Sequence, residues 1–354
     1  MPVRNEPWFQ LCDGACCQAG AKPKMSSCFA LCANTGMFGQ FCREGLNPHA
    51  NLYMQVVMQS AMPSPRPRVT VVVPAEGIAA DAAGFSQLAL IHHELMKFTR
   101  TDIDLDFSRL DWIDAHLGAA LELVVRHAEL RGNVIKHIAN DRTARVLCRN
   151  DLPHRGAVGG QDIFLPMTEF RLDRAVEFSR YAEECLSQSH LPSISEEIQR
   201  KIIEGADELF SNAALHSASE LGVIASSHSR PADDKFRLII VDGGRTIPGS
   251  VRDARIRYAS DDEAINWAMI ADNTTKRGSI PGGLGLKVLR RFVESNRGTL
   301  AIVSRRGYWC QTGDLVYSEV LAREYPGTAV ILDVNASDKT KYDSDAMADP
   351  RDIW

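Results

Sequence analysis

The sequence predicts an α/β protein, and three features carry that prediction. From residue 68 onward, short strand-like runs alternate with helix-periodic segments, as in sheets covered by helices. A long helix then places Ile198, Ile202, Ala206, Leu209 and Ala213 on one apolar face. Two apolar strands, Phe236 to Val241 and Ala329 to Val334, complete the pattern toward the C-terminus.

The whole chain sets the bounds. Its 354 residues exceed one core of ordinary size, so two domains plus a tail are expected. Apolar residues make up 45% and charged residues 24%, which is usual for globular chains. The net charge of -5 gives no global basic field, so nucleic acid is not an expected partner. No apolar run is long enough to span a bilayer, and the start, with Arg4 and Glu6, lacks a signal-peptide core. No membrane association and a cytoplasmic location are therefore expected.

Residues 1–66 read as a poorly structured, cysteine-rich extension ending in the stiff Pro63-Ser64-Pro65-Arg66-Pro67. Cys12, Cys16, Cys17, Cys28, Cys32 and Cys42 lack the paired C-x2-C knuckles of structural zinc, and nothing else supports an oxidising compartment. Met54, Met58 and Met62 are candidate later starts.

Residues 68–155 form the first expected domain. Val69 to Val73 is a β-branched run typical of a buried strand. Residues 86–98 follow as a helix with Leu88, Leu90, Ile91, Leu95 and Phe98 as its apolar set. Asp102 to Phe107 alternates with period two and predicts a strand. Leu117, Leu121, Val124 and Ala128 mark a helix that Gly132 ends, Asn133 to Ile138 is a further strand, and Asp141 is a candidate N-cap. The stretch from Asp104 to Leu121, with its Trp112-Ile113-Asp114 turn, resembles the STAS domain of anti-sigma-factor antagonists. At the turn, Asp114-Ala115-His116-Leu117-Gly118 has no serine, so no serine phosphoswitch is expected within this chain. His116 reads as a polar residue at a helix start. His92-His93-Glu94-Leu95 is similar to the phosphoacceptor box of sensor kinases. Its strand–helix–strand surroundings and the absence of a following proline instead read His93 as a helix residue on a partly exposed face.

Residues 165–335 form the second domain, and 336–354 a polar tail. A helix is expected from Phe170 to Leu186, and Ser193 with Glu196 forms a capping box for the long helix. On another face of that helix, Glu204, Glu208, Asn212 and His216 step by four, so their side chains can converge. An apolar strand ends in Asp242-Gly243-Gly244. Further on, Asn273-Thr274-Thr275-Lys276-Arg277 precedes the glycine-rich Gly278 to Gly285, which opens a helix and offers backbone N–H groups to phosphates.

Gly327-Thr328 opens the last strand, and in this order and spacing the four pieces (the Glu208–Asn212 helix, the Asp242 turn, the glycine-rich loop and this Gly-Thr) resemble the GHKL superfamily of gyrase, mismatch-repair ATPases, histidine kinases and anti-sigma-factor serine kinases. The resemblance implies a Bergerat-type α/β sandwich whose mixed sheet carries helices on one face, preceded by the smaller STAS-like domain. It implies ATP and Mg2+ as ligands. Asn212 would coordinate the metal, and Glu208 would be the general base. Asp242 would accept a hydrogen bond from the adenine amino group, with Gly244 beside it and the Thr328 hydroxyl supporting it. Thr275 and Lys276 of the lid, with Gly283, Leu284 and Gly285, would meet the phosphates. A protein partner, itself a STAS or other regulatory protein, and a homodimer are further implications. Three activities stay open: ATP hydrolysis, phosphotransfer to a partner, and an ATP-gated interaction module without catalysis.

Overall fold

The computed structural model describes residues 66–140, 163–187, 189, 195–230, 234–270 and 284–339. The expectations for residues 1–65 and their cysteines, for Asp141, Ser193, Thr275, Lys276 and Gly283, and for the tail from 340 lie outside these residues.

A parallel sheet comes first. Strands β1 (Arg68–Val72), β3 (Asp102–Phe107) and β5 (Val134–Ala139) pair in that order, and the short β2 (Gly77–Ile78) pairs with β4 (Trp112–Ile113). One helix separates successive long strands, α1 (Ala82–Leu95) and then α2 (Gly118–Glu129). A single helical crossover returns the chain to its starting end, which makes neighbours parallel. Ile103, Leu105 and Phe107 are buried while Asp102, Asp104 and Asp106 are not, so the expected alternation holds in β3. β1 departs from expectation. Val71 is buried but Val72 is exposed, because this outer strand has one covered face instead of two.

Helix α1 starts four residues earlier than its apolar pattern suggested. The Asp81 side chain caps it by accepting from the Gly84 N–H at 2.8 Å. Asn133 is buried and ties the connection between α1 and β3 to α2. Its amide oxygen accepts from the Thr101 N–H, and its amide nitrogen donates to the carbonyls of Phe98 and Ala128.

The second sheet has the order β6-β7-β8-β10-β9, built from β6 (Ile163–Phe170), β7 (Val223–Arg230), β8 (Lys235–Asp242), β9 (Thr299–Thr312) and β10 (Leu315–Asn335). All its pairs are antiparallel, so the mixed sheet expected for this half is corrected. The reason lies in the connections. Two helices, α3 (Ala175–Ser187) and α4 (Glu196–His216), separate β6 from β7, and an even number of crossings reverses the returning strand. Phe170 belongs to β6, and α3 begins five residues later than the predicted helix. Ser195 caps α4 by accepting from the Ile198 N–H at 3.2 Å. Helices α5 (Ile247–Asp253), α6 (Asp261–Met269) and α7 (Leu284–Asn296) follow β8.

Each face of this sheet has its own cover. Phe236, Leu238 and Ile240 of β8 pack with Ile198, Ile202, Leu209 and Phe292 from the helices of the same half. Ile239 and Val241, pointing the other way, share a core with Phe85 and Leu88 of α1 and with Leu121 and Val124 of α2. The molecule therefore stacks α3, α4 and α7, the antiparallel sheet, α1 and α2, and the parallel sheet as successive layers. Helices on one face only were expected. The first region supplies the second cover, because an apolar face needs a partner. Tyr325 of β10 marks the seam: fully buried, it meets Phe85 edge-on at 5.5 Å and donates to the Ala120 carbonyl at 3.1 Å. The chain from Arg66 onward gathers into one compact unit.

Among the described residues, no helix is long and apolar enough to cross a membrane.

Candidate functional site

The alternation that sorts the sheet's faces also builds a polar row. Asp242, Thr328 and Ser304 stand opposite one another on β8, β10 and β9, as the registers Thr328↔Asp242 and Thr328↔Ser304 require. They share parity with Leu238, Ile240, Leu332 and Ile302, so the row lies on the face covered by α3, α4 and α7. Three polar residues thus lie side by side at one level of the sheet.

Asp242 is 7% exposed, and burial raises its carboxyl from the ordinary 3.8 to about 7. The Gly244 N–H, at 3.0 Å from Oδ1, and the Ser217 hydroxyl partly offset that rise by bonding to the carboxyl. Ser217 caps the C-terminal end of α4, and its own carbonyl accepts from the Arg245 N–H at 2.6 Å. The end of α4 is thereby fastened to the turn after β8. Backbones crowd here. A Cβ on Gly244 would lie 2.1 Å from the Ser217 carbonyl oxygen, and one on Gly327, which has φ +117°, would lie 2.0 Å from the Asp242 carbonyl oxygen. Only glycine fits both positions.

Thr328 is placed opposite Asp242 as expected, but the described partner of its hydroxyl is Ser304, at 2.9 Å. Ser304 Oγ in turn accepts from the Ile247 N–H at 2.9 Å, which pins the start of α5. Ser217 and Ser304 were not singled out from sequence. Their signal was faint: a polar residue following the apolar run Leu300 to Val303, and one closing a helix.

On α4, Glu208 and Asn212 are half-buried, one turn apart, and Asn212 Nδ2 donates to Glu208 Oε1 at 3.1 Å. That bond holds the amide with its oxygen turned away from the carboxylate. Glu204 does not join them, because its carboxylate meets Lys201 at 2.9 Å. Helix α7 opens at Leu284, with Gly285 in its first turn, directly after the glycine-rich segment. It packs on α4, where Gly205 makes room for Leu289.

Asn212 Oδ1, turned outward, and the Glu208 carboxylate one helical turn away are oxygen donors of the kind a hard cation such as Mg2+ takes. Among the described residues no group of three or more His, Cys, Asp or Glu is placed to hold a metal. Mg2+ bound largely through phosphate oxygens and water does not need such a group. A buried carboxyl beside close-approaching backbone likewise suits a flat base carrying an amino donor.

The histidines noted earlier lie elsewhere. His93 is half-buried on α1, as expected, and its neighbour His92 bonds to His127 of α2 at 2.9 Å. His116 is buried, stacked on His228 of β7, because the helix start it occupies faces the antiparallel sheet instead of solvent. A cavity of about 710 Å3 lies between Arg126 of α2 and the segment Ser219 to Gly222, and one of about 430 Å3 between His92 and Arg306. Neither is lined by Glu208, Asn212, Asp242 or Thr328.

No protein-family model matches the chain, and no curated protein matches it.

Proposed function

We propose that this chain is an Mg2+-ATP-binding regulatory protein of the GHKL type, which hydrolyses ATP or transfers its γ-phosphate to a protein partner. One observation carries the reading: Asp242 is buried at a strand end, aligned with Thr328 and Ser304 and fastened by Ser217 to the helix that bears Glu208 and Asn212. Asn212 lies five residues before Ser217, about 7.5 Å along the helix axis at 1.5 Å per residue. That separation suits a base at one end and phosphates at the other.

Bound Mg2+ would neutralise phosphate charge as the γ-phosphoryl group leaves, the main source of rate in such transfers. Asn212 would direct its amide oxygen at the metal. Glu208 would take the proton from the attacking hydroxyl, of water or of a partner's serine, once its bond to Asn212 loosens. Asp242 would hold the base, and the N–H groups opening α7 at Leu284 and Gly285 would face phosphate, with Gly283, Thr275 and Lys276 completing the loop.

The test is titration of ATP with and without Mg2+ against wild type and Asn212→Ala, with free phosphate and labelled protein assayed separately. Asn212→Ala is expected to lose the Mg2+-dependent part of the affinity while keeping its fold. Affinity that is unchanged with Mg2+ present refutes the metal role. Free phosphate identifies an ATPase, labelled partner a kinase, and neither an ATP-gated interaction module.

A further inference from the structure

Strand β9 doubles back within its own length. Arg305, with φ 57°, turns the chain, and the Gly313 N–H bonds to the Gly298 carbonyl at 2.9 Å. The Thr299 and Thr312 hydroxyls meet at 3.1 Å, so residues 307–312 run back beside 299–304. Residues 315–320 of β10 then pair on the far side of 307–312, from Leu315↔Thr312 to Val320↔Gly307. They form the outermost strand.

Which backbone groups face outward follows from alternation. Antiparallel neighbours exchange bonds at every second residue. The Gly313 bond to Gly298 aims Gly307, Trp309 and Gln311 inward, and therefore aims Tyr308, Cys310 and Thr312 at the outer strand. Their partners there are Glu319, Tyr317 and Leu315. The N–H and C=O groups of Val316, Ser318 and Val320 consequently point away from the sheet, where no strand pairs with them among the described residues. All six side chains are exposed, and they include Leu315 at 70% and Tyr317 at 50%. Sheet edges are ordinarily guarded by charged side chains, lysine above all, by proline or by a bulge; Leu315 to Val320 has no lysine or proline, Glu319 is its one charge, and its register shifts only after Val320.

We propose that a second copy of this chain pairs with this edge, antiparallel, about a two-fold axis at Ser318. The sequence matches itself in that register. Val316 faces Val320 of the partner subunit, Ser318 faces its own copy, and Tyr317 faces Glu319 of the partner subunit. Moving the axis to Glu319 sets like charges directly opposite, which destabilises a ladder. Moving it to Tyr317 sets Val316 against serine and Val320 against Asp314. Tyr317 already leans on Tyr308 at 6.0 Å, and Ser318 donates to Asp262 at 2.8 Å, so the strand is ordered before a partner arrives.

Sedimentation equilibrium of the full chain tests this. Wild type is expected at twice the chain mass. Val316→Lys with Val320→Lys sets lysines opposite each other and is expected to halve that mass with an unchanged circular dichroism spectrum. Val316→Glu with Val320→Lys sets opposite charges across the same axis and is expected to restore the dimer. Hydrogen exchange at the Val316, Ser318 and Val320 amides is expected to slow as protein concentration rises. A monomeric wild type, a dimer that survives the double lysine change, or a failure of the charge-swapped pair to dimerise each overturns the proposal. So does amide protection that appears only when an unrelated extended peptide is added.

Discussion

A carboxyl buried at a strand end responds to pH in a direction set by its surroundings. The native state keeps the Asp242 proton up to about 7, whereas an exposed carboxyl releases it near 3.8. Between those values the native state binds the extra proton, so this residue's contribution to stability is full below 3.8 and is lost as pH rises through about 7. Asp242→Asn should flatten the fall in melting temperature across that window without nucleotide. A mutant with the wild-type slope would deny Asp242 any raised titration. Under the nucleotide reading, the same change weakens a hydrogen bond to a charged group, worth about 1.5–3 kcal/mol. ATP affinity should drop by roughly one to two decades, and preference over GTP should shrink. The aspartate and its glycines stand plainly in the sequence as an Asp-Gly-Gly strand end. Its burial and its bond from Ser217 do not, because Ser217 lies on another element.

At the scale of elements, α4 is where sequence and structure agree most closely. Its five apolar positions are buried, and Glu208 and Asn212 share the other face. Glu208→Gln should retain ATP binding and suppress turnover, since an amide cannot take up the proton; single-turnover assays beside binding titrations check this. Turnover at the wild-type rate would reduce Glu208 to a helix-face residue. Two glycines, one within α4 and one beside its C-terminal end, should answer alanine differently. At Gly205 the added Cβ meets only the tip of Leu289, which can move, and helix propensity favours alanine by about 1 kcal/mol. At Gly244 it meets the Ser217 backbone, which cannot. Gly205→Ala should therefore melt near wild type, and Gly244→Ala should lose stability and ATP affinity together. Equal melting of the two variants would show that the turn after β8 yields as easily as a side chain.

At the scale of the molecule, the two regions share a core. Tyr325 is buried between them, and an aromatic-to-alanine change in such a position costs about 3–5 kcal/mol. Tyr325→Ala should shift chemical denaturation of the full chain by that order, and both regions should still unfold in one transition. Two separated transitions in wild type, with only one moved by the mutation, would show the regions to be energetically independent. A chain lacking residues 66–140 should aggregate, because Ile224, Ile239, Val241 and Ile331 would lose their cover.

The α/β class, the period-two strand of Asp102 to Phe107, the long helix bearing Glu208 and Asn212, and the Asp242 strand end were set by the sequence itself, because periodicity and turn chemistry are local. Three features were decided only in the folded chain. The antiparallel course of the second sheet depends on two helices both crossing before β7, which a residue count does not reveal. The alignment of Ser304 and Thr328 with Asp242 depends on register between strands distant in sequence. The joining of the two regions depends on an apolar face that reads as an ordinary strand until its partner is known. Local patterns are written in neighbouring residues, whereas register and shared cores arise between residues that meet only after folding.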